Sequence, residues 1–393
     1  MEIWGPAMTD IEKRKPFKVR HATISEGIAS LPKISGMPSM LPPIDLFIGA
    51  SGFERRVLAV PEALRKMGAR ISGACLLGRY RTNPDDNSAR AGELVPVLEE
   101  ISGKVVYFDA DSPSDTKNAI DAAVNSSLCA DSLHAVIDVS GASSRLIFSV
   151  MGAVLRSQRR MRLTILYTPA LHYHEPEAAS RDKPAFVWGD ADLREFGVAE
   201  VDHNELYQGM HQDHLPAFVV AFPSMFPERL RRCLSYLGVG PLSGAEKSIH
   251  WVLPSIADEK HLWRTEQIEQ CIANIFPSTQ TDEGKPAISA GAYSACDVYD
   301  YIRSAEIVMN QIEQHTGSSN ISMVHMGSKL QAIGAAIALA ARPEVALVSA
   351  RPNSFAAKTY SDGCGDICAI VLEAQKDIVE AMSKIGTLEI VSY

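Results

Sequence analysis

In this chain of 393 residues, chemistry-bearing side chains crowd into "IDVSGASSRLIFSVMGAV", Ile137 to Val154. Asp138, Ser140, Gly141, Ser143, Ser144 and Arg145 sit between an apolar strand and an apolar helix. At the carboxyl end of a parallel strand these residue types suit a phosphate. A glycine admits close approach, a serine caps the helix, and the free N–H groups of the first turn face the anion. Arg145 adds a forked, permanently charged donor. The same residues would serve an ordinary helix cap. A second copy, "HMGSK", repeats the glycine, hydroxyl and cation as Gly327, Ser328 and Lys329, which tips the reading toward ligand binding.

Three further loops hold candidates. "GASGFERR" supplies Gly49, Ser51, Glu54, Arg55 and Arg56. Cations at a helix start oppose its dipole, so an acidic neighbour or an anionic ligand is expected beside them. "GRYRTNPDDNSAR" carries Arg79, Tyr80, Arg81, Asn83 and Asn87, an arginine–tyrosine mixture that suits a base and its phosphate and equally suits a solvated loop. "SARPNSFAAKTYSDG" carries Arg351, Asn353, Lys358 and Tyr360. By the dipole argument, Arg145 and Lys329 should matter for anion binding and not for folding, and truncating either should leave the free protein's melting temperature unchanged or slightly higher.

These loops need a scaffold that gathers them on one rim. From Ile44 the pattern alternates between short apolar runs and segments of helical period. "IDLFIGA", "RISGACLLG", "KVVYFDAD", "LHAVIDVSG" and "MRLTILYTPA" read as strands separated by four helices. That alternation predicts an α/β fold with a mostly parallel sheet, helices on both faces and right-handed crossovers. The rhythm restarts near residue 216, and "GASSRLIFSVMGAVL" answers "HMGSKLQAIGAAIAL", pairing Ser144 with Ser328 and Arg145 with Lys329. Two tandem Rossmann-like units from an internal duplication follow. Residues 1–43 read as an arm or leader, 44–175 as the first unit, 176–215 as a connecting segment and 216–393 as the second unit. A sixth strand or hairpin is expected after each fifth strand, at "EFGVAEV" and "DGCGDICAIVLEA".

Composition excludes several classes. With 46% hydrophobic and 22% charged residues the chain is globular. A net charge of −9 argues against a protein that coats nucleic acid non-specifically. The seven cysteines are scattered and form no C-x-x-C pair, so neither a disulfide framework nor a zinc ribbon is expected. "HYHE" and "HQDH" lack the convergent ligands of a metal site. No signal-peptide core and no membrane span are visible, which points to the cytoplasm. The Walker motif, the dinucleotide glycine fingerprint and the G-x-S-x-G elbow are all absent, so no cofactor is expected.

"VIDVSGASSRLIFSVMGA" resembles the motif of CRISPR-associated Rossmann-fold (CARF) sensor domains, with Asp138, Ser140, Gly141, Ser144 and Arg145 in the family's places. In the second unit Gly327, Ser328 and Lys329 match, and Ser322 lies near the place of the acid. Two such units are similar to the tandem arrangement of SAVED domains in anti-phage systems. The resemblance implies a sensor or scaffold in antiviral defence that binds a cyclic or linear oligonucleotide across a pseudo-twofold crevice, with a separate effector as a possible partner. Two other readings stay open: an enzyme cleaving a nucleotide or cyclic oligonucleotide in the same crevice, and a structural partner subunit of a defence complex.

Overall fold

The structure is a computed structural model that describes residues 17–21, 23–127, 132–173, 195–240, 245–256, 262–279, 287–386 and 388–392. After a short helix α1 (Ile24–Ala29), the first unit runs through β1 (Ile44–Ser51), α2 (Ala59–Lys66), β2 (Ile71–Arg79), α3 (Pro84–Ser102), β3 (Val105–Asp109), α4 (Pro113–Ser126), β4 (Leu133–Asp138), α5 (Ser144–Leu155) and β5 (Met161–Tyr167). The second comprises β6 (Glu200–Gln208), β7 (Ala217–Phe222), α6 (Pro227–Tyr236), β8 (Ile249–Ser255), α7 (Leu262–Ile275) and β9 (Tyr293–Asp297). It continues with α8 (Tyr301–His315), β10 (Asn320–His325), α9 (Lys329–Ala341) and β11 (Ala346–Arg351). β12 (Cys368–Leu372) and α10 (Gln375–Ser383) close the series.

The five parallel strands of the first sheet lie in the order β3-β2-β1-β4-β5, and those of the second in the order β9-β8-β7-β10-β11. Each is a doubly wound α/β sheet whose strand order reverses beside its first strand, between β1 and β4 or between β7 and β10. The central strands are near-continuous apolar runs because both faces are covered: β4 is buried along its whole length, and β10 everywhere but its first residue.

The sixth strands are exchanged. β12 follows the fifth strand of the second unit but pairs antiparallel with β5 of the first sheet, Ile370 opposite Ile165. β6 follows the fifth strand of the first unit but pairs antiparallel with β11 of the second, Val201 opposite Ala350. The sequence-based boundaries assign 200–208 to a connector and 368–372 to the second unit. In the fold, each segment completes the sheet of the other unit.

The chain builds five layers. α2 and α3 cover the outer face of the first sheet, and α6 and α7 that of the second. Between the sheets lies one shared layer containing α4, α5, α8 and α9. This position explains why α5 and α9 are apolar all round: they pack against each other as well as against their own sheets. α8 approaches α9 so closely that a Cβ on Gly334 would overlap the Tyr301 carbonyl oxygen. Among the described residues no helix is long and apolar enough to cross a membrane.

Candidate functional site

Both switch points open toward the same space. α5 begins after β4 and α9 after β10, and each is capped by a serine hydroxyl that accepts from the third residue on. Ser143 accepts from Leu146 N at 3.2 Å and Ser328 from Gln331 N at 3.1 Å. The caps therefore pair Ser143, not Ser144, with Ser328, one residue away from the sequence alignment. The last residues of the two central strands, Asp138 and His325, lie five and three residues before these caps, so the loop is two residues shorter in the second unit. The central strand of the second unit ends in a histidine where that of the first ends in the acid, and Ser322 lies within the strand.

An inter-unit cavity of about 150 Å³ lies here. Its first-unit wall includes Phe53, Glu54, Tyr80, Asn87, Ser144 and Arg145, and its second-unit wall includes His325, Lys329, Arg351, Phe355 and Tyr360. Phe53, Phe355 and Tyr360 form a triangle of rings with centroids 5.5–5.9 Å apart. The loops that carry the rings are stitched across the units. Asn83 Nδ2 donates to the Phe355 carbonyl at 2.9 Å, and Phe355 N donates to Asn83 Oδ1 at 2.7 Å. Asn83 holds a left-handed backbone, φ 52°, to do so.

The expected cations have internal partners. Arg145 forms a fork with Asp202 of the exchanged strand β6, Nη2 to Oδ2 at 2.7 Å, and Nε donates to the Asp111 carbonyl at 2.9 Å. The anion that offsets the dipole at the start of α5 is thus a residue of the protein, which corrects the expectation that Arg145 is spare for ligand. Arg56 is buried against Glu54 at 2.6 Å and donates to the Tyr173 hydroxyl at 3.2 Å and the Tyr167 hydroxyl at 3.3 Å. Arg351 faces Glu200 at 3.5 Å, and Arg229 pairs with Glu195. Lys329 crosses the unit boundary and donates from Nζ to the Ala142 carbonyl.

Other expected site residues serve the scaffold. Ser140 is fully buried, its hydroxyl accepting from Thr168 N at 2.9 Å, and Ser51 donates to the Gly78 carbonyl at 3.1 Å. Gly49 lies within buried β1. Gly141 lines the cavity and is also needed for loop packing, because a Cβ would come within 2.6 Å of Val57 Cγ1. A Cβ on Gly327 would crowd Gln331 Oε1, the far half of the capping box on Ser328. Arg79 stacks over Tyr107 at the sheet edge, with its guanidinium carbon 3.4 Å from the ring centroid, and Asn353 is exposed with its N–H on the Phe196 carbonyl. Neither lines the cavity. Arg55 lines an outer cleft beyond Phe53.

In place of Arg79, the "GRYRTNPDDNSAR" loop contributes Tyr80 and Asn87. Tyr80 donates to the Gly141 carbonyl at 3.1 Å and accepts from Ser143 N at 2.7 Å, so part of the first-turn donor set of α5 is satisfied within the protein. Phe53, Phe355 and His325 were not singled out from the sequence, because isolated aromatic and histidine residues read as core until topology brings them together.

Burial and charge set the protonation of the site. Burial pushes the Asp138 carboxyl up to about 6 against its hydrogen bonds to Ser140. Burial, reinforced by Arg56, pulls the Lys329 amine down to about 7, while Glu54 and Asp138 act the other way. Burial would raise the Glu54 carboxyl, but Arg56 and Lys329 reverse this and hold it below its usual value. Burial drives His325 down to about 3, which leaves a neutral imidazole at pH 7.

A depressed lysine has a signed consequence. The folded protein binds the Lys329 proton less tightly than the unfolded chain, so this residue's stabilising contribution is full above pH 10.5 and is lost as pH falls through about 7. Lys329→Met should remove that dependence. Denaturant melts of wild type and variant at pH 7 and pH 10 should show the wild type gaining about 2–4 kcal/mol relative to the variant across the interval. Parallel curves would mean that the amine is solvated in the folded state.

No protein-family profile matches the chain, and no curated protein matches it. Among solved structures, one similar chain is a geranyl diphosphate methyltransferase in complex with GPP and sinefungin, at 10% identity and a TM-score of 0.17. The alignment covers 46% of this chain and 61% of that one, less than two thirds of its length, and a likeness this low carries no argument about chemistry.

Proposed function

We propose that the protein binds a small nucleotide-derived ligand between its two units and acts as a sensor or scaffold, in the antiviral setting that the resemblance to CARF and SAVED domains implies. The observation that carries this reading is the cavity at the meeting of two switch points, where an open α/β sheet offers its ligand crevice. Aromatic rings on one side supply stacking surface for a base. A sensing role would rest on a ligand that touches both walls and so favours one arrangement of the two units over another. A separate effector protein would read the outcome.

One observation favours turnover as the second reading. Lys329 lines the cavity with its amine pulled down to about 7, the range of a general acid or base. The ligand would then be a phosphodiester cleaved in the crevice.

Equilibrium dialysis against nucleotides and cyclic oligonucleotides, followed by chromatography of the retained fraction, separates the cases. Retention of unchanged compound supports the sensor, and conversion supports the enzyme. Neither retention nor conversion would leave the structural-subunit reading in possession.

A further inference from the structure

Three side chains of the cavity carry buried polar atoms that find no partner in the protein: His325, Asn87 and, through Nε alone, Arg351, whose Nη2 faces Glu200. His325, 8% exposed, has neither ring nitrogen hydrogen-bonded, although its ring packs on Phe222 at 4.5 Å and Phe148 at 5.5 Å between centroids. Asn87, 6% exposed, donates from Nδ2 to the Thr82 carbonyl at 2.7 Å but leaves Oδ1 unpaired. Such orphaned groups cost stability unless something else satisfies them, and they are rare in native interiors. A neutral imidazole offers one donor and one acceptor, and Asn87 Oδ1 offers an acceptor. Neither set of atoms suits a phosphate, which needs several donors.

The charges agree. The three arginines of the cavity wall, Arg145, Arg229 and Arg351, each face a carboxylate. Glu54 and Asp111 also line the space, and the fourth cation, Lys329, has its amine pulled down to about 7, so little positive charge is left over for an anion. Size points the same way: a cavity near 150 Å³ accepts a ring of about benzene's bulk, not an oligonucleotide. Phe53 and Glu54 separate this cavity from a more open cleft of about 390 Å³, where Arg55, Arg90 and Lys358 lie among Glu54, Asp86, Glu93 and Asp362.

We infer that the cavity takes the uncharged heteroaromatic end of the ligand, hydrogen-bonded to His325 and Asn87, while the rest of the ligand extends past Phe53 toward the outer cleft. This rests on the reading of the protein as a binder of nucleotide-derived molecules, and it reverses the sequence-based orientation, in which the two glycine–serine loops hold phosphate. The occupant is then of the nucleoside or mononucleotide class, with one base inside.

Titration calorimetry on the full chain tests this with the four common ribonucleosides, their 5′-mono- and triphosphates, and 3′,5′-cyclic dinucleotides. At least one nucleoside should bind, and its triphosphate should gain less than tenfold over it. His325→Phe should weaken nucleoside and nucleotide alike at least tenfold while leaving the melting temperature of the free protein unchanged or higher, because the ring stays packed between Phe148 and Phe222. His325→Gln, which keeps a donor and an acceptor, should lose less. Binding of cyclic dinucleotides without nucleosides overturns the inference and spares the reading beneath it. Wild-type affinity in both His325 variants also overturns it, since the orphaned nitrogens would then hold water alone. If no compound binds, the underlying reading falls too.

Discussion

Arg145→Ala is expected to destabilise the ligand-free protein by about 2–4 kcal/mol, the scale of breaking a largely buried ion pair, reduced because Asp202 keeps part of its surface in water. The guanidinium makes the forked contact with Asp202 and also supplies the hydrogen bond to the Asp111 carbonyl. Its removal leaves a carboxylate of the exchanged strand facing the crevice with no counter-charge. Arg145→Lys should recover less than half of the loss, because an ammonium cannot reproduce the planar fork. Urea denaturation at pH 7 reads both values. An unchanged midpoint for Arg145→Ala would show that the pair is open to solvent and that the arginine is available to a ligand after all.

The larger effect is expected from ending the chain at Asp366. This removes β12 and α10, and with them the buried side chains of Ile370, Leu372, Ile378, Met382 and Ile385. At roughly 2 kcal/mol for each large apolar side chain the loss approaches 10 kcal/mol, comparable to the whole stability of an ordinary domain. It also strips the antiparallel cover from β5, leaving an open apolar edge. The truncated chain should show no cooperative melt for the first unit and should aggregate. A sharp thermal transition near that of the full chain would mean that the first sheet closes without its borrowed strand.

The architecture was legible because it rests on local signals. Apolar runs such as "LHAVID" between helical periods fix two doubly wound sheets, and the repeated glycine, hydroxyl and cation mark the switch points. Strand exchange was not legible, since nothing in "EVDHNELYQ" or "CAIVL" records which sheet edge it will meet. That choice depends on the helical layer that joins the units. Arg145 was located at the crevice, but the anion expected beside it proved to be Asp202, 57 positions away in sequence and brought there by the exchange. His325 was hidden because the loop between the central strand and its helix cap is two residues shorter in the second unit, so the last strand residues, Asp138 and His325, align on neither serine.

Photolabelling tests the central claim, a base-binding site between the units, most directly. The full chain would be irradiated with an azido-substituted purine nucleoside, digested, and mapped by mass spectrometry. Label should fall on peptides containing Phe53, Tyr80, Phe355 or Tyr360, from both units, and should vanish with excess unlabelled nucleoside. Competed label confined to the outer faces, on α2 and α3 or on α6 and α7, would place the site elsewhere and contradict the account.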